Sequence, residues 1–220
     1  MKPYEAPNDK EIQRVNRIQR ELFDKLVHLF DPPLPKGVPG RLRKIVASAE
    51  IAKGDVILDV GSGTGVLIPF IKKYGPERVY ACDLSQVMLK QLRKQYSHVE
   101  TIVSDVRDLT LPDDSIDVVF INACYANIVD KAGAFSNIGR IMKAGGRVVI
   151  SHPLGKSFVA SLKESATIPL DDFPEKSEAK VLLKPYGFQI EKFVDKPKLY
   201  ILVASKGGIK TSAKKGDRTK

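Results

Sequence analysis

From residue 56 onward the chain alternates between short apolar runs and longer segments with helical spacing. The runs at residues 56–60, 79–82, 101–103, 118–121 and 148–150 are rich in β-branched residues and continuous rather than alternating, the pattern of parallel strands covered on both faces. Between them, residues 66–73, 86–96 and 132–142 repeat apolar side chains at helical intervals. Ser85 stands where an N-cap would sit for the second of these helices, and Gly145-Gly146 is expected to stop the third. Strand and helix in regular alternation predict a doubly wound α/β sheet.

The two ends of the chain extend this pattern. Asn8 followed by Glu11 makes a capping box, after which Ile12, Val15, Ile18, Leu22, Leu26 and Leu29 recur at helical spacing. An amphipathic N-terminal helix is expected there, broken by the run DPPLPKGVP, with a second helix over residues 40–51. Near the other end, a helix around residues 178–184 and the turn Pro185-Tyr186-Gly187 lead into strand-like runs at 188–194 and 199–204. Only Asp195-Lys196-Pro197-Lys198 joins those runs, and a parallel crossover needs a dozen or more residues, so the pair is antiparallel. The expected fold is a seven-stranded, mostly parallel, Rossmann-like sheet ending in an antiparallel hairpin. Residues 1–50 form its helical cap, 51–206 the ligand-binding domain and 207–220 a basic disordered tail.

Composition narrows the class. A length of 220 residues with 43% hydrophobic positions suits one domain. No run approaches the roughly 20 apolar residues that span a bilayer, and MKPYEAPNDK lacks the apolar segment of a secretory signal. A soluble cytoplasmic chain is expected, with a plastid or mitochondrial lumen as the alternative if a transit peptide has been removed. Cys82 and Cys124 show no paired spacing, and His28, His98 and His152 are scattered, so no metal site is expected. Sheet order puts the two cysteines about 10 Å apart, with the first strand between them, too far for a disulfide. The net charge is +10, yet residues 206–220 alone carry six basic residues and one acidic. The excess is thus half in a tail that serves solubility or steers weakly toward an anionic substrate, RNA or a membrane surface.

Candidate chemistry gathers at the strand ends. The run VILDVGSGTG sets Gly61, Gly63 and Gly65, with Ser62 and Thr64 between them, at the exit of the first strand, where missing side chains allow a tight turn and close ligand approach. Val66 stands where the dinucleotide fingerprint needs its third glycine, and no Gly-Lys-Ser/Thr follows, so a nicotinamide site is only partly matched and a phosphate-binding P-loop is absent. Asp59, Asp83 and Asp105 close three strand-like runs, and Asp83 lies 18 residues past Gly65, where a carboxylate can accept ribose hydroxyls. These three acids mark one crevice.

Taken in order, VILDVGSGTG, VYACDLS, VSDVRDLTLPDDSIDVVFINA and GGRVVIS resemble the motif set of class I S-adenosylmethionine-dependent methyltransferases, especially the small-molecule enzymes of the ubiquinone/menaquinone type. The resemblance implies S-adenosylmethionine as cofactor. It places Gly61, Gly63 and Gly65 along the methionine portion, Asp59 near its amino group and Asp83 on the ribose. It further sets Leu84 and Met88 near the adenine, Asp105 and Val106 at the adenine edge, and Asn122 near the transferable methyl group.

A sulfonium methyl is electrophilic without help, so such an enzyme has chiefly to align the acceptor and exclude water. Where the acceptor must lose a proton, His152 and Tyr125 are the candidate bases. Asn122-Ala123-Cys124-Tyr125 does not match the Asn/Asp-Pro-Pro-aromatic motif of base-amino methyltransferases, which favours a small-molecule acceptor. An RNA methyltransferase using the basic tail and a non-catalytic S-adenosylmethionine-binding protein are the alternatives.

Overall fold

A computed structural model of the chain describes residues 7–30 and 33–207. Helix α1 (Asp9–Leu26) leads through a 3-10 turn (Val27–Phe30) to α2 (Val38–Ala47), and the sheet then begins. The strands are β1 (Val56–Val60), β2 (Arg78–Asp83), β3 (Glu100–Val103), β4 (Ile116–Asn122), β5 (Met142–His152), β6 (Phe188–Lys196) and β7 (Leu199–Lys206). Between them lie α3 (Ile68–Ile71), α4 (Gln86–Gln95), α5 (Lys131–Ile141), α6 (Lys156–Ser165) and α7 (Lys176–Leu183).

The sheet order is β3-β2-β1-β4-β5-β7-β6. All pairings are parallel except those of β7, which runs antiparallel between β5 and β6. The expected seven-stranded architecture with its closing hairpin is therefore present. After β3 the chain returns to the other side of β1, so β1 and β4 meet at a topological switch point, where the carboxyl ends of neighbouring strands open a crevice. Successive strand residues face opposite layers: Leu58, Ile121 and Ile150 pack with α5 and α7, while Ile57, Phe120 and Val149 pack with α2, α3 and α4. Both faces are covered, which is why the strands read as unbroken apolar runs.

Several expectations are corrected in detail. Helix α1 has one half of the expected capping box, Asn8 Oδ1 accepting from the Glu11 amide at 3.0 Å, while the Glu11 carboxylate binds the Arg14 guanidinium instead. Leu29, however, is 66% exposed, because the chain tightens to three residues per turn after Leu26 and rotates it off the buried stripe. The helix over residues 66–73 shrinks to Ile68–Ile71 with a 3-10 extension. Gly145 and Gly146 do not stop α5; the helix passes into β5 at Met142 and both glycines lie within that strand. A side chain on Gly146 would stand 2.8 Å from the Asp117 carbonyl oxygen, so the glycines let β5 press against an irregular stretch of β4. The segment after β5 contains α6. The hairpin turn is shorter than foreseen, only Pro197 and Lys198 separating β6 from β7.

The basic tail at residues 208–220 lies outside the described residues. Among those described, no helix is long and apolar enough to cross a membrane. The core's dependence on the central strand is testable: Phe120→Ala, at a fully buried β4 position, is expected to lower unfolding free energy by about 3–5 kcal/mol in urea titrations.

Candidate functional site

The crevice is built on the turn that follows β1. The amides of Gly61 and Ser62 both donate to the Cys82 carbonyl, at 2.8 and 3.2 Å, folding the loop onto the end of β2. The Gly63 amide then donates to Asp83 Oδ2 at 2.9 Å, while Asp83 Oδ1 accepts from the Ser85 amide at 2.8 Å. One carboxylate thus pins the loop and the start of α4 together. Burial raises its pKa above the ordinary carboxylate value even though these amides pull it down.

The glycines differ in what they permit. At Gly61 (φ +61°) a Cβ would stand 2.2 Å from Cys124 Sγ, so the absent side chain makes room for the residue that follows β4. At Gly63 (φ +53°) nothing lies within 4 Å of the Cβ position; the space beside it is cavity. Gly65 packs against Leu92, Ile68 and Tyr96, with Cβ distances of 3.0–3.1 Å.

A cavity of about 460 Å³ spans the strand ends. Of the residues singled out from sequence, Gly61, Ser62, Gly63, Thr64, Asp83, Leu84, Met88, Asp105, Val106, Asn122 and His152 line it. Asp59 and Gly65 lie behind this lining. Asp59 is 2% exposed, and its Oδ2, together with Ser62 Oγ, is buried without a hydrogen-bond partner. Burial, and secondarily the Asp83 charge, pushes the Asp59 carboxyl up to about 8. Asp105 is already engaged: Oδ2 accepts from Asn16 Nδ2 at 2.6 Å and Oδ1 from the Arg107 amide at 3.1 Å. Asn122 Oδ1 accepts from Ser151 Oγ at 3.1 Å.

The two candidate bases separate. Tyr125 is 4% exposed and outside the cavity lining, packed on Phe173 with ring centroids 5.2 Å apart and under the Lys131 ammonium at 4.7 Å. His152 does face the cavity, but its Nδ1 accepts from the Leu154 amide at 3.1 Å. The proton of the neutral ring therefore sits on Nε2. Desolvation between Phe158 and Phe173 lowers its pKa to about 4. At neutral pH this ring offers an Nε2 donor and is a poor proton acceptor.

Helix α1 supplies residues that the sequence reading did not single out. Asn16, Gln19 and Arg20 line the cavity. Gln19 Nε2 donates to the Asn127 carbonyl at 3.0 Å, and Ser85 Oγ donates to Asp24 Oδ1 at 2.5 Å. With the Asn16–Asp105 bond, these contacts strap α1 across the ends of β2, β3 and β4. A signal was present: Gln19 is a polar residue in the buried stripe Ile12, Val15, Gln19. Thr64 Oγ1 adds a bond to the Phe30 carbonyl at 3.2 Å, tying the glycine loop to the cover. Among the described residues no group of His, Cys, Asp and Glu can hold a metal ion, and both cysteines are free.

A glycine turn at the switch point with acids at successive strand ends is the place where doubly wound α/β sheets hold their ligands. Comparison with known proteins sharpens the class. The methyltransferase domain family matches residues 58–150. Demethylmenaquinone methyltransferase of Paenarthrobacter aurescens is 32% identical over 145 residues, 60% of this chain and 57% of the relative. Malonyl-[acyl-carrier protein] O-methyltransferase of Xylella fastidiosa is 36% identical over 138 residues, 60% of this chain and 47% of the relative. The chain thus spans about half the length of these relatives. A SAM-dependent methyltransferase from Aquifex aeolicus shares the fold with a TM-score of 0.66 at 20% identity, over 83% of this chain and 98% of the other. The chain is thus similar to the methyltransferase domain family over residues 58–150 and to solved S-adenosylmethionine-dependent methyltransferases in its fold.

The buried acid of β1 has a measurable signature. A carboxyl whose folded pKa is about 8 favours the folded state below its unfolded pKa of roughly 3.9, and that contribution is lost as pH rises toward 8. Asp59→Asn removes this titration. The variant's melting temperature is expected to gain on the wild type progressively between pH 5 and 8, by differential scanning calorimetry of the ligand-free protein; a pH-independent difference would mean that Asp59 titrates normally.

Proposed function

We propose that this chain transfers the methyl group of S-adenosylmethionine to a small-molecule acceptor. The observation that carries the reading is the pair of buried, unpartnered atoms, Asp59 Oδ2 and Ser62 Oγ, beside a loop whose middle glycine leaves the adjoining space empty. Unsatisfied buried acceptors are costly, and a ligand ammonium beside them would relieve that cost. On this reading Asp59 and Ser62 serve the amino end of the cofactor, and Gly61, Gly63 and Thr64 its methionine chain. Asp83, which lines the cavity, accepts from the ribose. Leu84, Met88 and Val106 enclose the adenine, with Asp105 at its edge. Asp105 is shared with Asn16, so adenine recognition runs through the Asn16–Asp105 pair rather than through a free carboxylate.

S-adenosylmethionine supplies an electrophilic methyl group. The chain's own residues then have to orient the acceptor and keep water out. Asn122 at the end of β4 and His152 at the end of β5 stand on the acceptor side, where the Nε2 proton of His152 is available to an acceptor oxygen. The acceptor-side lining is apolar, with Phe23, Phe30, Leu34, Leu42, Leu154 and Phe158, which favours an apolar or aromatic body. The names of the two relatives differ in acceptor, so that choice belongs to the cover built by α1, α2 and α6.

Calorimetric titration with S-adenosylmethionine tests the reading. Micromolar binding is expected, abolished by Asp83→Ala. Gly63→Ala, whose methyl group meets nothing within 4 Å but stands on left-handed backbone (φ +53°), is expected to fold with a stability loss of about 1 kcal/mol and to lose affinity by about tenfold or more, since the methyl occupies ligand space. At pH 7, binding is expected to release a proton, because an ammonium beside Asp59 favours its carboxylate form and the group otherwise titrates near 8; the observed enthalpy then depends on the buffer's ionisation enthalpy. No heat with the wild type, or unchanged affinity in Asp83→Ala, would overturn the assignment.

A further inference from the structure

Beside the cavity runs a second, more open groove of about 420 Å³. Pro35, Leu154 and Phe158 line both spaces, so the groove continues from the cavity mouth rather than lying elsewhere on the surface. Its polar lining is one-sided. Lys36 and Arg41 contribute from the α2 end, Lys198 from the β6–β7 turn, and Ser157 and Ser161 from α6, with no Asp or Glu among the lining residues. Among the described residues none of these three cations is paired with a carboxylate. Lys156, next to Ser157 in sequence, shows the contrast, being bound by both Glu175 and Asp195.

The groove is also held in shape. Arg41 Nε donates to the Pro153 carbonyl at 2.5 Å, and its guanidinium lies against Gly37, Nη1 being 3.0 Å from the place a Cβ would occupy. The absent side chain of Gly155 admits the Pro197 carbonyl, which would stand 2.6 Å from a Cβ there. Ser157 Oγ donates to the same carbonyl at 3.3 Å. The turn carrying Lys198 is therefore pressed onto the start of α6. Single exposed lysines are ordinarily solvated and carry no message. The two serine hydroxyls are spent on carbonyls, Ser161 Oγ donating to the Ser157 carbonyl at 3.1 Å, but three cations without acids on a fixed backbone at the mouth of an apolar cavity match a group of anionic oxygens.

Resting on the reading of the cavity as the transfer site, we propose that the methyl acceptor carries a phosphate group that seats among Lys36, Arg41 and Lys198 while its apolar body reaches past Leu154 and Phe158 into the cavity. The groove then acts as the specificity-determining subsite: the phosphate sets which apolar molecules are retained and how deeply they enter.

The test uses the full chain and two probes with the same apolar tail, n-octyl phosphate and n-octyl glucoside, each below its micelle-forming concentration and titrated by calorimetry. The wild type is expected to bind the phosphate about tenfold more tightly, a preference that Lys36→Ala/Lys198→Ala reduces to under about threefold and that Lys180→Ala/Lys192→Ala, remote from the groove, retains. S-adenosylmethionine affinity, measured in parallel, is expected to be equal in all three proteins. Equal affinity for the two probes, or a preference that survives Lys36→Ala/Lys198→Ala, would overturn the proposal. A third arm measures flotation with vesicles of phosphatidylcholine and phosphatidylglycerol: vesicle binding that depends on Lys36 and Lys198, without discrimination between the monomeric probes, would assign the phosphate to a lipid surface and overturn the soluble acceptor. Failure of S-adenosylmethionine to bind would remove the cofactor reading alone, because the comparison of the two probes does not involve it.

Discussion

The Asp83 carboxylate binds the glycine loop after β1 to the first turn of α4, accepting the Gly63 amide at 2.9 Å and the Ser85 amide at 2.8 Å. Both amides would otherwise be unsatisfied at a buried strand end. The two bonds fix where the loop turns, which fixes the open space beside Gly63 and the close approach of Cys124 to Gly61. Almost everything in the crevice is referred to this one carboxylate. It is also desolvated, and its charge is the secondary cause of the raised pKa of Asp59. The site therefore holds two buried acids near each other, neither in an ion pair among the described residues, an arrangement that a positively charged ligand would stabilise.

The cover is secured by polar contacts at the same strand ends. Helix α1 buries only Ile12, Val15 and Gln19, a modest apolar anchor for a helix of 18 residues. Its remaining attachments run to Asp105, to the Asn127 carbonyl and to Ser85, with an ion pair between Asp9 and Arg107 at 2.7 Å. The acceptor side is different: apolar residues of the 3-10 turn, α2 and α6 dominate, and the open groove beside them is cationic.

Much of this was legible in the sequence. Continuous β-branched runs fixed the parallel strands because both sheet faces are covered, and the short link before Leu199 forced an antiparallel end. That glycines and acids at the strand ends line one crevice was legible because these residues are readable one strand at a time. What escaped depends on packing between distant segments. Gly145-Gly146 has the form of a helix stop, yet serves a strand pressed against the Asp117 carbonyl. His152 has the residue type of a base, but the Leu154 amide on Nδ1 and burial between two phenylalanines make it a donor. Tyr125 sits close to Asn122 in sequence, while its ring turns away to Phe173 and Lys131. The roles of Asn16 and Gln19 required knowing which strand ends α1 crosses.

The central claim is that the glycine loop, Asp59 and Asp83 form a single binding surface for the cofactor. A crystal structure of the chain with S-adenosylhomocysteine tests it most directly. The account predicts the amino group of the ligand within hydrogen-bonding reach of Asp59 Oδ2 or Ser62 Oγ, the ribose hydroxyls on Asp83, and the α1 contacts to Asp105 and Ser85 intact. A ligand bound elsewhere, or one whose ribose leaves Asp83 untouched, would contradict it.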